Sequence, residues 1–228
     1  MNDFANNIIG LFYPNLCVIC GENLLQAEEQ LCLNCLTEIP RTNFHLHANN
    51  PVEQRFWGKF ALTRGTSYFF FQKGSAFQKV LHELKYNNNK EIGKILASRA
   101  ASEMRDNSYF ADIDVVMPIP LHPKKLQKRG YNQAEWVGMG MANILEKTMD
   151  TTSLVKIKEN TTQTKKGVFE RFTNTEGVFE LQNRDAVAGK HILVVDDVLT
   201  TGSTIEAAAQ ALLQGDNVKI SVFTLAVA

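Results

Sequence analysis

Residues 191–204 read HILVVDDVLTTGST, and the reading of this stretch decides the fold. An apolar run, Ile192 to Val195, ends in two adjacent carboxylates, Asp196 and Asp197. Hydroxyl residues around Gly202 come next, and then TIEAAAQALLQG, an alanine-rich helix closing at Gly215. An apolar run of this length bounded by such a turn is a strand fit only for burial. Outside it, DVVMPIP (114–120), SLVKIK (153–158) and the closing VKISVFTLAVA are read as further strands, and AEWVGMGMANILEK (134–147) as a helix. Buried strands alternating with helices specify an α/β fold with a parallel sheet covered on both faces.

Ligands of such sheets bind beyond the carboxyl ends of the strands, where Asp196 and Asp197 stand. Gly202 permits a tight loop, and loop amides with a helix N-terminus form an anion cradle. Thr200, Thr201, Ser203 and Thr204 add hydroxyl donors. Acceptors for sugar hydroxyls therefore lie beside donors for a phosphate, the combination a ribose 5-phosphate presents. A P-loop nucleotidase would need a partner G-x-x-x-x-G-K-[ST], which the sequence lacks. A phosphoacceptor aspartate would not need TTGST after it. A plain helix cap accounts for the hydroxyls but not for the acids and glycine together.

All four cysteines fall at Cys17, Cys20, Cys32 and Cys35, as C-x2-C twice. Each two-residue gap lets both thiolates reach one tetrahedral ion, so the expectation is a closed, structural zinc site, with Gly21 in the turn of a knuckle. His45 and His47 are surplus to that shell. The polar stretch from Arg41 to Trp57 reads as a connector, giving a zinc module over 1–50 and a main domain over 58–228. GTSYFFFQKG (65–74) is expected as a strand, and 75–104 as two helices broken at Asn87–Asn89. The span from about Asn160 to Gly177 is polar and aperiodic, the mark of a functional or mobile loop.

With 24 basic and 24 acidic residues, the chain has no global pull toward nucleic acid or anionic membrane. No segment reaches the roughly 20 apolar residues of a membrane span. MNDFANNIIGLFYP lacks the marks of a signal peptide and reads as a short amphipathic helix. A cytoplasmic protein is expected. The one basic run, Lys124, Lys125, Lys128 and Arg129, follows a strand end opposite the phosphate cradle.

ILVVDDVLTTGST resembles the phosphoribosyl-pyrophosphate signature of type I phosphoribosyltransferases. FYPNLCVICG, LKY (84–86), PIPLHPKKLQKRGYNQA (118–134), TQTKKGVFERFTNTEGVF (162–179) and VFTLAVA narrow the resemblance to the ComF family, in which a four-cysteine zinc module precedes such a domain. The resemblance implies that Asp196 and Asp197 engage the ribose hydroxyls and that Thr200, Thr201, Gly202, Ser203 and Thr204 hold the phosphate. It implies pyrophosphate on Lys124, Lys125, Arg129 and Lys85, and magnesium carried with phosphoribosyl pyrophosphate. It also implies a lid over 160–177 bringing Lys165, Lys166 and Arg171, and a phosphoribosyltransferase reaction whose acceptor the sequence does not name. The alternative it implies is an accessory or sensor in DNA uptake, binding single-stranded DNA or competence-machinery proteins. One departure stands out: Lys156 and Lys158 occupy a strand where the family often has arginine, keeping charge but not a bidentate fork. Tyr131, Asn132 and Gln133 are left between orienting a ligand and capping a helix.

Overall fold

The computed structural model describes residues 14–158 and 177–228. In chain order its elements are α1 (Leu33–Thr37), α2 (Pro51–Gln54), β1 (Leu62–Phe70), α3 (Gln78–Tyr86), α4 (Glu91–Asp106), β2 (Val115–Pro118), α5 (Pro123–Arg129) and α6 (Gln133–Leu145). They continue with β3 (Thr148–Met149), β4 (Leu154–Lys156), β5 (Phe179–Leu181), β6 (His191–Leu199), α7 (Ser203–Leu212) and β7 (Lys219–Val227). The expected N-terminal helix and the body of the expected lid, with Lys165, Lys166 and Arg171, lie outside the described residues.

Five strands form a sheet in the order β1-β7-β6-β2-β3, and every neighbouring pair is parallel. Central position explains the composition of β6 and β7: both faces are covered, so neither can alternate with polar residues. On one face Leu193, Val195, Phe223 and Leu225 pack with Leu84 of α3, Leu96 of α4 and Val137 of α6. On the other, Ile192, Val194 and Val222 pack with Ile205 and Ala208 of α7 and with Leu154, Phe179 and Leu181. The cysteine module shares the first of these cores, through Cys17, Ile19, Leu31, Cys35 and Ile39.

One expectation is corrected here. SLVKIK does form a strand, but β4 pairs antiparallel with β5 in a separate two-stranded ribbon. The fifth strand of the main sheet is instead β3, two residues pairing with Val115 and Val116. The stretch 41–57, expected as a connector, packs on the main sheet. Thr42 N donates to Tyr68 O (3.0 Å), Phe70 N to Pro40 O (2.9 Å), Gly65 N to Glu53 Oε1 (3.2 Å) and Asn50 Nδ2 to Gly65 O (2.8 Å). These bonds occupy the outer edge of β1, which would otherwise present unpaired backbone. Val52 and Phe56, four residues apart, are fully buried in the second core.

Candidate functional site

Alternation along β6 separates the two acids. Successive strand residues point to opposite faces, so Asp196 lies on the α7 side and Asp197 on the α3 side. Asp196 lines a hollow of about 50 Å³ with Val198 and residues 199–205. Since one water needs about 10–15 Å³ by the same measure, the space suits a phosphate-sized group. Asp197 Oδ2 meets Lys85 Nζ at 3.0 Å. The two acids expected to engage the ribose hydroxyls thus stand one on each flank of the strand end.

Gly202 caps α7 with φ +83°. A Cβ there would come within 2.9 Å of Phe56 Cε1, so the buried Phe56 ring sets the floor of the loop and excludes any side chain. Thr201 and Ser203 share a hydroxyl–hydroxyl bond of 3.0 Å, and the first amides of α7 have no intrahelical acceptor. Lys59 Nζ, three residues after Phe56, meets Glu206 Oε2 in the first turn of α7 at 3.2 Å.

The cations converge unevenly. The chain leaving β2 runs beside the acids, with Ile119 N donating to Val195 O at 2.8 Å. It enters α5 at Pro123, where His122 Nδ1 accepts from Lys124 N (3.3 Å). Lys124 and Lys128 are exposed, whereas Lys125 and Arg129, one turn apart, are half-buried. Lys156, at the end of β4, lies with its ammonium 5.0 Å from the Phe179 ring centroid. Burial, and then Lys125, hold its pKa below the lysine range, with Asp196 pulling the other way. Burial, and then Asp197, push the Asp196 carboxyl up to about 7, against the Asp197 N–H, Lys85 and Lys156. Lys156, which the sequence marks only as a departure from arginine, is thus part of the site. Its signal was its place at a strand end.

Tyr131 and Asn132 make structural bonds, while the buried Gln133 leaves its Nε2 without a hydrogen-bond partner among the described residues. Asn132 Oδ1 caps α6 at Ala134 N (3.1 Å), and its Nδ2 donates to Ile119 O (3.0 Å). The Tyr131 hydroxyl donates to Leu84 O, and Arg129 donates to Gln133 Oε1 at 2.8 Å.

The four cysteine sulfurs lie within 4.8 Å of one another and none is in a disulfide. Cys20 and Cys32 Sγ are 3.7 Å apart, close to the ~3.8 Å edge of a tetrahedron with ~2.3 Å bonds to a central ion. Gly21 takes φ +81° in the first knuckle, where Cys17 N donates to Glu22 O at 2.8 Å. Burial opposes ionisation of Cys17, yet the amides of Cys20, Cys32 and Ile19 bring it down to about 6. Burial and the neighbouring sulfurs push Cys35 the other way. Four such thiols can all ionise only around a cation, so the cluster is positioned to bind a metal ion. His45 and His47 take no part; His45 stands edge-on to Tyr109 at 6.1 Å.

Among the described residues no helix is long and apolar enough to cross a membrane. Residues 127–228 match the phosphoribosyl transferase domain family. The chain is 24% identical to DNA utilization protein YhgH of Escherichia coli K12 over 221 residues, covering 95% of this chain and 92% of that one. It is 25% identical to competence protein ComFC of Bacillus subtilis over 253 residues, covering 97% and 98%. With competence protein F of Haemophilus influenzae the identity is 23% over 231 residues, covering 94% and 98%. A solved adenine phosphoribosyltransferase aligns over 65% of this chain and 75% of that one, at 16% identity and a TM-score of 0.37, too low to add to the topology above. The likeness to these relatives, two of them named for competence, runs over nearly the whole chain, and the phosphoribosyl transferase match covers its C-terminal part.

Proposed function

We propose that the C-terminal rim of the sheet binds phosphoribosyl pyrophosphate, or a ribose 5-phosphate-type ligand, together with magnesium. The observation that carries this reading is the shared hollow of Asp196 and residues 199–205, with Lys85, Lys125 and Lys156 gathered around the two acids. The 5-phosphate takes the loop Thr200–Thr204, and the carboxylates accept from the ribose 2- and 3-hydroxyls. Pyrophosphate lies toward Lys125, Arg129, Lys85 and Lys156, with exposed Lys124 at the outer margin. Hard carboxylate oxygens at an open rim fit magnesium, which would be held mainly by ligand oxygens and water and would offset charge on a leaving pyrophosphate. Transfer needs the ribose fixed and the leaving group stabilised, and these side chains supply both.

The four-cysteine site is proposed to hold structural zinc, and its reduced thiols fit a cytoplasmic setting. Names of the relatives favour a second reading, in which ligand binding serves DNA uptake through single-stranded DNA or competence-machinery partners. Thermal melting against phosphoribosyl pyrophosphate, ribose 5-phosphate and a nucleobase panel, with and without magnesium, tests the binding. A magnesium-dependent rise with the first ligand is expected; no rise with either sugar phosphate would overturn the reading. Pyrophosphate release with a nucleobase present then distinguishes an enzyme from a sensor.

A further inference from the structure

We propose that the cysteine module docks a basic, leucine-bearing segment of another protein and does not bind nucleic acid. Residues 14–40 contain four glutamates, Glu22, Glu28, Glu29 and Glu38, with no Lys, Arg or His and no Phe, Tyr or Trp. The whole chain balances 24 basic against 24 acidic residues, so a module charge of −4 leaves 24 − 20 = +4 elsewhere. Among the described residues none of these glutamates forms an ion pair, and Glu22, Glu29 and Glu38 are exposed. Single-strand binding requires basic residues for the phosphates and aromatic faces for the bases. Residues 14–40, which carry the cysteines, have neither.

What it offers instead is an apolar pair in a fixed frame. The Glu28 carboxylate accepts from Leu25 N at 2.8 Å and from Leu33 N at 2.7 Å. One carboxylate therefore holds the backbones of Leu25 and Leu33, whose side chains are 73% and 59% exposed; Leu16 is 49% exposed. The opposite side of the module is committed to the main core through Ile19, Leu31 and Ile39, so the leucines face outward on a rigid support. A lone exposed leucine is ordinary. Two held by one anchor, within a segment whose four glutamates form no ion pair among the described residues, offer the two components of an interface, apolar contact and charge. Charge complementarity selects the partner, a basic amphipathic segment that lays leucine-sized side chains on Leu25 and Leu33 and lysines or arginines on the glutamates.

The proposal does not depend on the sugar-phosphate site. Its test uses the full metal-loaded chain and three labelled probes followed by fluorescence anisotropy: an amphipathic leucine–lysine peptide, an oligolysine of equal charge, and an oligothymidylate. The leucine–lysine peptide should bind more tightly than oligolysine. Leu25→Ser with Leu33→Ser should weaken it by about tenfold or more, given ~1.5–3 kcal/mol for burying one leucine. Glu22→Gln with Glu29→Gln and Glu38→Gln should weaken it at low salt and matter less at high salt. Metal content and melting temperature report folding, and Leu25→Ser alone keeps the test available should the double variant lose its metal. Peptide affinity unmoved by both sets of substitutions would overturn the proposal, as would oligothymidylate binding that these substitutions abolish.

Discussion

At the N-terminal end of β6, His191 is closed in by partners. Its Nε2 pairs with Ser221 Oγ at 2.8 Å and its Nδ1 with Asp112 Oδ2 at 3.2 Å. Its backbone N–H goes to Asp114 Oδ2 at 2.8 Å, and Arg64 holds Asp112 through its two terminal guanidinium nitrogens. At the C-terminal end of the same strand, Asp196 lines a hollow, while Asp197, on the other face, joins burial in raising the Asp196 pKa and meets Lys85. A serine, a histidine and an aspartate in hydrogen-bonded series have the membership of a hydrolytic triad. Ser221 is 0% exposed and His191 4%, so no substrate reaches the hydroxyl, and the series ties the two central strands β6 and β7 to the loop before β2. Ionisable groups with a closed set of partners hold a fold; at the other strand end burial and a neighbouring like charge raise the pKa of Asp196, a feature on which the proposed ligand site rests.

Breaking the closed end should have the largest effect on stability. His191→Ala leaves Ser221 and Asp112 without their shared partner and should cost about 2–3 kcal/mol in urea unfolding, with phosphoribosyl pyrophosphate affinity changed less than about threefold. Gly202→Ala comes next. It places a side chain at φ +83° and against Phe56, costing about 1–2 kcal/mol and blunting any ligand-induced rise in melting temperature. Both costs appear in the same melts, so the two ends are distinguished by whether the ligand response survives.

The comparison sharpens with pH. The Asp196 carboxyl sits at about 7 in the folded chain against an ordinary 3.8, so the native state binds the extra proton. The associated stability is complete below about pH 4 and is lost as pH rises to and through 7. Asp196→Asn, which keeps an acceptor for Asp197 N–H, should flatten this slope and be more stable than the parent at pH 8 by about 1–2 kcal/mol. Ligand affinity should run the opposite way, rising in the parent as Asp196 ionises. Lys85→Met should have the smallest effect on stability, less than about 1 kcal/mol for a partly exposed pair, while weakening the ligand by about tenfold.

The open end was the more legible of the two in sequence. A buried strand, two acids, a glycine and hydroxyls stand within fourteen consecutive residues, so local chemistry specifies them together. The closed end draws on Arg64, Asp112, Asp114, His191 and Ser221, which only the parallel register brings into contact, and no local pattern marks them. β3 is hidden for a related reason: two residues show no period. The burial of Val52 and Phe56 left a fainter trace, an apolar pair four apart behind the Asn50 cap and Pro51, obscured by the polar residues around it. Strand alternation was available from the start, and it alone puts Asp196 and Asp197 on opposite faces.

Calorimetric titration of phosphoribosyl pyrophosphate with magnesium, comparing the parent chain with Asp196→Asn/Asp197→Asn, tests the central claim most directly. Saturable binding in the parent, weakened about 100-fold or more in a variant that melts no lower, is the predicted result; a hundredfold corresponds to about 2.7 kcal/mol. Equal affinity in the two chains, or none in the parent, would contradict it.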